Sequence, residues 1–182
     1  MPHGTSCGNW TGSPARGLRL LVKPSSCQGC SAYNNSQHWV PDVYVAGSQV
    51  LVLQGEVSEY DIKGQQVISR EGVGKFSTTQ VSPAPLLGPD GYDLRTSYLG
   101  LARLGGDETS FGSVVRCCSG LTGKAQQEAA TYCQATHFHP PSSIELVVAL
   151  GPVAAQAMGL EGKIEQWRGH VIEGNSGGSR SA

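Results

Sequence analysis

The chain has 182 residues, enough for one domain with a real hydrophobic core, and its 25 glycines and 10 prolines predict many loops. Its net charge of −1 argues against a protein that binds nucleic acid through its overall charge, although a local basic groove is still compatible with it. No apolar run approaches the roughly 18–20 residues of a membrane span, so we expect no membrane association.

The amino-terminal sequence and the cysteines bear on the compartment. The first residues, MPHGTSCGNWTGSPARG, lack the apolar core of a secretory signal. We therefore expect a cytoplasmic protein in a reducing environment. Six cysteines in such an environment are more often metal ligands or buried thiols than disulfides.

Composition divides the chain into a domain and two tails. Residues 1–17 are punctuated by Gly, Ser and Pro and predict a flexible arm. Residues 174–182, GNSGGSRSA, have the composition of a flexible tail or linker. We expect a single folded domain over residues 18–173.

Apolar runs alternate with helical patterns along that domain. In chain order, the patterns predict a strand at 49–54, a helix at 92–104, a strand at 110–117, a helix at 124–135, a strand at 144–150, a helix that Gly151-Pro152 opens and that runs to 159, and the start of a fourth strand at 171–172. Strands separated by helices indicate an α/β sandwich with a mainly parallel sheet.

Cysteines occur in two groups that are far apart in sequence. The first is 27-CQGC-30, and the second is the pair Cys117-Cys118 followed by Cys133. Together they can provide four thiolates, which fit either tetrahedral zinc or an iron–sulfur cluster. Zinc ribbons usually repeat a short CxxC twice, whereas here 15 residues separate Cys117 from Cys133. That spacing favours a cluster held by a loop on one side and a helix on the other.

Several motifs in this order carry a family resemblance. They are CxxC at 27–30, Gly55-Glu56 after the first strand, 113-SVVRC-117 with Cys133, 145-ELVVALGPVAAQA-157 and 168-RG-169. This series resembles the family 4 uracil-DNA glycosylases and the related domains joined to some phage DNA polymerases, over about residues 18–173. The resemblance implies a three-layer α/β sandwich with a central four-stranded sheet. It also implies a [4Fe–4S] cluster on Cys27, Cys30, Cys117 and Cys133, with zinc as the alternative, and leaves Cys118 and Cys7 as bystanders.

The same resemblance identifies candidate residues for uracil excision, and the sequence departs from the family at four of these features. Gly55 and Glu56 match the Gly-Glu pair that follows the first strand in the family, and Glu56 is the candidate catalytic acid. The Pro-Gly turn that follows this pair in the family is lost here. Val67 stands where a stacking ring is expected, and Ser113 stands where an Asn reads uracil. A Ser hydroxyl cannot offer the paired donor and acceptor of an amide. The closing His-Pro-Ser motif is absent, because the chain continues as GNSGGSRSA.

Other residues have both a functional and a plain structural interpretation. Arg116 and Arg168, with Lys124 and Lys163, lie where the family meets DNA phosphates, although an ordinary solvated distribution is equally compatible with their positions. We favour a loop role for Glu56, a surface position for His137 and His139 over zinc binding, and a place at the edges of the core for Trp39 and Trp167 over base stacking.

The sequence thus favours a glycosylase-like domain with an iron–sulfur cluster that has lost uracil excision. We expect it to act as a DNA-binding or structural module in phage DNA replication or repair, with a DNA polymerase or other replication proteins as partners. An active uracil-DNA glycosylase is the first alternative, and a zinc-stabilised interaction protein is the second.

Overall fold

The computed structural model describes residues 23–36, 38–105 and 108–172. The proposed arm at 1–17, the tail at 174–182 and Cys7 lie outside these ranges. The helices and strands, in chain order, are β1 (Val50–Glu56), α1 (Glu59–Lys63), β2 (Gln65–Gly72), β3 (Lys75–Gln80), α2 (Pro89–Asp93) with a π-helical continuation (Leu94–Leu99), β4 (Thr109–Val115), α3 (Gly123–His137), β5 (Leu146–Leu150) and α4 (Pro152–Ala157).

A three-stranded parallel sheet forms the centre of the described part. Its order is β4-β1-β5, so β1 pairs with a neighbour on each side. Val50 is opposite Thr109 on one side and Leu146 on the other. The central position of β1 explains its apolar sequence, because Leu51, Val52 and Leu53 are all completely buried.

Helices cover both faces of this sheet. Leu53 points into a cluster with Val114, Ala129 and Ala154, which brings α3 and α4 onto one face. Val52, one residue earlier and therefore on the opposite face, packs with Leu86, Leu94 and Leu99 from the α2 region. The protein is therefore an α/β fold with a parallel sheet between helical layers.

The expected fourth strand is absent from the described residues. Val171 is 90% exposed and, like Ile172, belongs to no strand. Two apolar residues that follow a glycine with a left-handed φ of 78° at Gly169 offer too little extended chain to pair along β5. The sequence pattern also missed the antiparallel hairpin of β2 and β3, which turns at Val73-Gly74.

The other predicted elements exist with shifted bounds. The strand predicted at 110–117 ends at Val115, so Arg116 and Cys117 follow it in a loop. The helix predicted at 92–104 begins at Pro89 and changes to π-helical geometry over Leu94–Leu99. The helix predicted at 124–135 is Gly123–His137, and the helix predicted to open at Gly151-Pro152 begins at Pro152 and ends at Ala157. No helix in the described ranges is both long enough and apolar enough to cross a bilayer.

Candidate metal centre

Four free cysteines reach the same region of the protein from three parts of the chain. Cys27 lies in the 3-10 helix Ser25–Gly29, and the N–H of Cys30 donates to the Cys27 carbonyl over 2.9 Å. Cys117 follows β4, and Cys133 lies on α3. Cys27, Cys117 and Cys133 are buried, whereas Cys30 is partly exposed.

The electrostatics of the four thiols show that they are neighbours. Burial is the largest cause that raises the pKa of Cys27, and the nearby Cys133 and Cys30 raise it further. Burial also raises the pKa of Cys117 to about 12, again with contributions from Cys133, Cys27 and Cys30. The charge of Cys30 in turn raises the pKa of Cys133. Every pair among the four thiols therefore interacts, and several negative thiolates here would repel one another.

Close packing keeps the CxxC segment against α3. The hydroxyl of Tyr132 on α3 donates to the carbonyl of Ser26 over 2.8 Å. A side chain at Gly29 would place its Cβ only 2.7 Å from that hydroxyl. The Ser31 hydroxyl also donates to the carbonyl of Ala125. These contacts bring the loop that carries Cys27 and Cys30 next to the helix that carries Cys133.

Cys117 belongs to this group, and its neighbour Cys118 does not. Cys118 packs in a separate buried cluster with Val40 and Val57. Successive residues of an extended chain point in opposite directions, which separates the two side chains. Cys118 is disulfide-bonded, unlike the four free cysteines, and its expected absence from the metal site stays a prediction.

Within the described ranges, no group of three or more His, Cys, Asp or Glu side chains has the geometry to hold one metal ion. The donor set nevertheless has the chemistry of a soft metal site, because it consists of four cysteines in a largely apolar setting.

Arg116 is a buried cation beside this group. Its guanidinium forms an ion pair with Asp42, and its Nε donates to Asp42 Oδ1 over 3.2 Å. One terminal nitrogen donates to Cys133 Sγ over 3.6 Å, and the other donates to the carbonyl of His137 over 2.9 Å. Arg116 is only 1% exposed, so it does not occupy the surface position that a phosphate contact requires. Instead, it lowers the pKa of Cys133 against the effect of burial.

His137 also reaches the cysteines, although the sequence interpretation placed it on the surface. Its Nε2 lies 3.1 Å from Cys27 Sγ. The ring of Trp39 meets the imidazole edge to face at a centroid distance of 5.8 Å. Burial lowers the pKa of His137, and the charge of Arg116 lowers it further. His139, two residues later, is exposed and lies 3.2 Å from the carbonyl of Thr136.

Sequence reasoning missed Asp42 and Tyr44, which complete the surroundings of Arg116. The Tyr44 hydroxyl donates to Asp42 Oδ2 over 2.9 Å. Burial and the negative charge of Asp42 raise the pKa of Tyr44. The only signal in the sequence is a single acid within the apolar segment VPDVYV, which suggests a buried partner without identifying it.

Glu56, the candidate catalytic acid, organises a loop. Its Oε1 accepts hydrogen bonds from the backbone N–H and the hydroxyl of Ser119, over 2.6 and 2.8 Å, and a longer one from the N–H of Gly120. Its Oε2 accepts from Gln126 on α3 over 3.1 Å. Both carboxylate oxygens therefore hold the loop that leads into α3.

The other candidate base-pocket residues are also committed to packing. Ser113 is completely buried, and its hydroxyl accepts from Gln54 Nε2 over 2.9 Å. The same Gln54 donates to Asp61, a buried acid whose pKa burial raises. Val67 is buried in β2, and Gly55 lies against Val153 of α4.

The remaining candidates lie apart from the cysteines, on the surface or at its edge. Arg168 and Lys163 are exposed on either side of the turn Ile164–Gln166. Lys124 is exposed at the start of α3, near Glu128. Trp167 is partly buried, and its ring nitrogen donates to the carbonyl of Glu161.

Comparison with known proteins does not assign this chain to a family. It matches no protein-family model and no curated protein.

Proposed function

We propose that this protein is an iron–sulfur domain in which Cys27, Cys30, Cys117 and Cys133 hold a [4Fe–4S] cluster. The observation that carries the proposal is the mutual proximity of four free thiols from a loop, a strand end and a helix. The sequence motifs that resemble family 4 uracil-DNA glycosylases support a glycosylase-like domain with a degenerate pocket. We assign it a structural or DNA-binding role in replication or repair, with DNA and a polymerase as the partners.

The site fits such a cluster on chemical grounds. A four-iron cluster binds each thiolate through a different iron, so its ligands must surround a volume and need not meet at one point. Zinc is the alternative, because four cysteine thiolates also form tetrahedral zinc sites with Zn–S distances of about 2.3 Å. Buried thiols that raise one another's pKa are stabilised as thiolates when a metal group compensates their charge.

Iron analysis of the protein purified without oxygen tests the proposal. We expect about four irons and four sulfides per chain and an absorption band near about 400 nm. Cys117→Ser and Cys133→Ser should lose most of the iron, because each removes one of four ligands. Cys118→Ser changes the adjacent cysteine, which packs in another cluster and is disulfide-bonded, and it should keep the iron even though it breaks that disulfide. Stoichiometric zinc without iron would instead support the zinc-stabilised interaction protein.

The second part of the proposal is that uracil excision has been lost. Glu56 holds the Ser119 loop with both oxygens, and Ser113 is buried and bonded to Gln54, so neither is available to position a water or read a base. Uracil-containing oligonucleotides should therefore be bound without release of uracil. Uracil release by the wild type that is abolished in Glu56→Gln would establish the active-glycosylase alternative.

The same oligonucleotides measure DNA binding by fluorescence anisotropy. Arg168 and Lys163 are exposed, unlike Arg116, and are therefore the candidates for phosphate contacts. Arg168→Glu should weaken binding at low salt and reduce its dependence on salt concentration. If the wild-type protein does not bind these oligonucleotides, the DNA-binding role is wrong and only the structural role remains.

A further inference from the structure

Two side chains lie within hydrogen-bonding distance of the sulfurs of the candidate cluster, and the guanidinium of one, Arg116, donates to the backbone carbonyl of the other, His137. We propose that Arg116 and His137 act as a pair that stabilises the electron-rich form of the group held by the four cysteines and so raises its reduction potential. This inference rests on the proposed cluster, and it assigns the two residues as positioning residues that do not bind the metal.

Arg116 has a fixed orientation toward Cys133. Its Nε and one terminal nitrogen are bonded to Asp42, which leaves the opposite terminal nitrogen directed at Cys133 Sγ over 3.6 Å. Asp42 is itself held by the Tyr44 hydroxyl. Because both side chains of the ion pair are almost completely buried, water screens the cation poorly, and its effect on the nearby sulfur is strong.

His137 supplies the second donor, at Cys27. Its Nε2 lies 3.1 Å from Cys27 Sγ, and a thiolate bound to iron can only accept a hydrogen bond, so the imidazole proton must be on Nε2. His137 lies one turn beyond Cys133 on the same helix, which directs the two side chains to the same face. The edge of Trp39 fixes the orientation of the ring.

A backbone contact couples the two donors. The Arg116 nitrogen that bonds Asp42 also donates to the carbonyl of His137 over 2.9 Å. The loop after β4 and the end of α3 are thereby joined, and each donor depends on the position of the other. The two contacts serve sulfurs from different segments of the chain, Cys27 and Cys133.

The expected effect on the cluster follows from its charge. When the cluster accepts one electron from an external reductant, its negative charge increases, and hydrogen bonds and a nearby cation stabilise that state more than the oxidised one. Removal of either donor should therefore shift the reduction potential downward. A role limited to packing predicts no such shift when the shape of the side chain is kept.

The test is a reductive titration with dithionite, followed by visible absorption, on the full-length protein with its cluster. His137→Phe keeps an aromatic ring against Trp39 and removes the donor, so its potential should be lower than that of the wild type at equal iron content. His137→Gln can restore an N–H donor and should recover part of the shift. His139→Phe is the matched control, because His139 lies on the surface two residues away, and its potential should equal that of the wild type.

A second variant keeps the test valid if the histidine variants are poorly folded. Arg116→Gln combined with Asp42→Asn removes the cation without leaving a buried unpaired carboxylate, and it should also lower the potential. Wild-type potential in both His137→Phe and the double variant, with full iron, would overturn the inference. Iron analysis of the wild type judges the proposed cluster separately, since that result does not depend on either donor.

Discussion

Arg116 illustrates what a single charged residue in the sequence does and does not reveal. The motif VVRC places a cation at the end of an apolar strand, where the sequence alone is compatible with an exposed phosphate contact. Its partner, Asp42, is 74 residues away in sequence, so no local pattern shows that the charge is neutralised in the interior. The same limit applies to His137, because its partner Cys27 is 110 residues away in sequence.

Gly55 provides a prediction at the residue scale. A Cβ at this position would lie 2.9 Å from Cβ of Val153, closer than two carbons can pack. We expect Gly55→Ala to reduce the free energy of unfolding by about 1–3 kcal/mol, because α4 has to move away from the end of β1. Chemical denaturation followed by circular dichroism measures the change.

Gly100 is the matched control for that substitution. Gly100 is exposed and has a helical φ of −59°, and a new Cβ there would lie 3.8 Å from the carbonyl oxygen of Arg95, an ordinary van der Waals contact. Gly100→Ala should leave stability unchanged or increase it by about 0.5–1 kcal/mol, because alanine is the better helix former. Equal stability losses in the two variants would show that the contact with Val153 is not the cause.

At the scale of elements, the sequence predicts best the parts that are buried on both faces. The strands that became β1, β4 and β5 are continuous apolar runs, and α3 is rich in Ala, Gln and Glu, so local pattern and tertiary environment agree. The β2–β3 hairpin was not predicted because most of its residues are exposed, which leaves little hydrophobic periodicity to read.

The short helix α1 is stabilised by its caps, although its sequence has no strong hydrophobic pattern. The Ser58 hydroxyl accepts from the N–H of Asp61, and the Asp61 carboxylate accepts from the N–H of Ser58, which together form a capping box. Asp61 also accepts from the N–H of Leu87 over 2.7 Å. A five-residue helix of this kind depends on caps and on one buried acid, so its position follows from contacts that become visible only in the folded chain.

At the scale of the molecule, the candidate metal group joins two parts of the protein that share few other contacts. The described N-terminal segment 23–36 contributes no strand to either sheet and meets α3 through Tyr132, Ser31 and the contact of Cys27 with His137. Ala32 adds one fully buried apolar contact. The sheet, by contrast, is held by two parallel ladders and by helices on both faces. The segment that carries Cys27 and Cys30 therefore depends on the cluster more strongly than the sheet does.

This difference predicts where the protein loosens first when the cluster is removed. We expect hydrogen–deuterium exchange to increase several-fold in residues 23–36 and at the end of α3 in iron-depleted protein, because metal binding and local folding are coupled. Amides of β1 should keep most of their protection, since Leu51, Val52 and Leu53 remain buried in the sheet. The β2–β3 hairpin bonds within its own strands, to Gly64 and Leu87, and through Arg70 to Asp93, and it is the internal control because none of these partners belongs to the cysteine group. If residues 23–36 exchange equally in the iron-loaded and iron-depleted forms, the N-terminal segment is held by packing alone, and the cysteines do not tie it to α3 through a shared metal group.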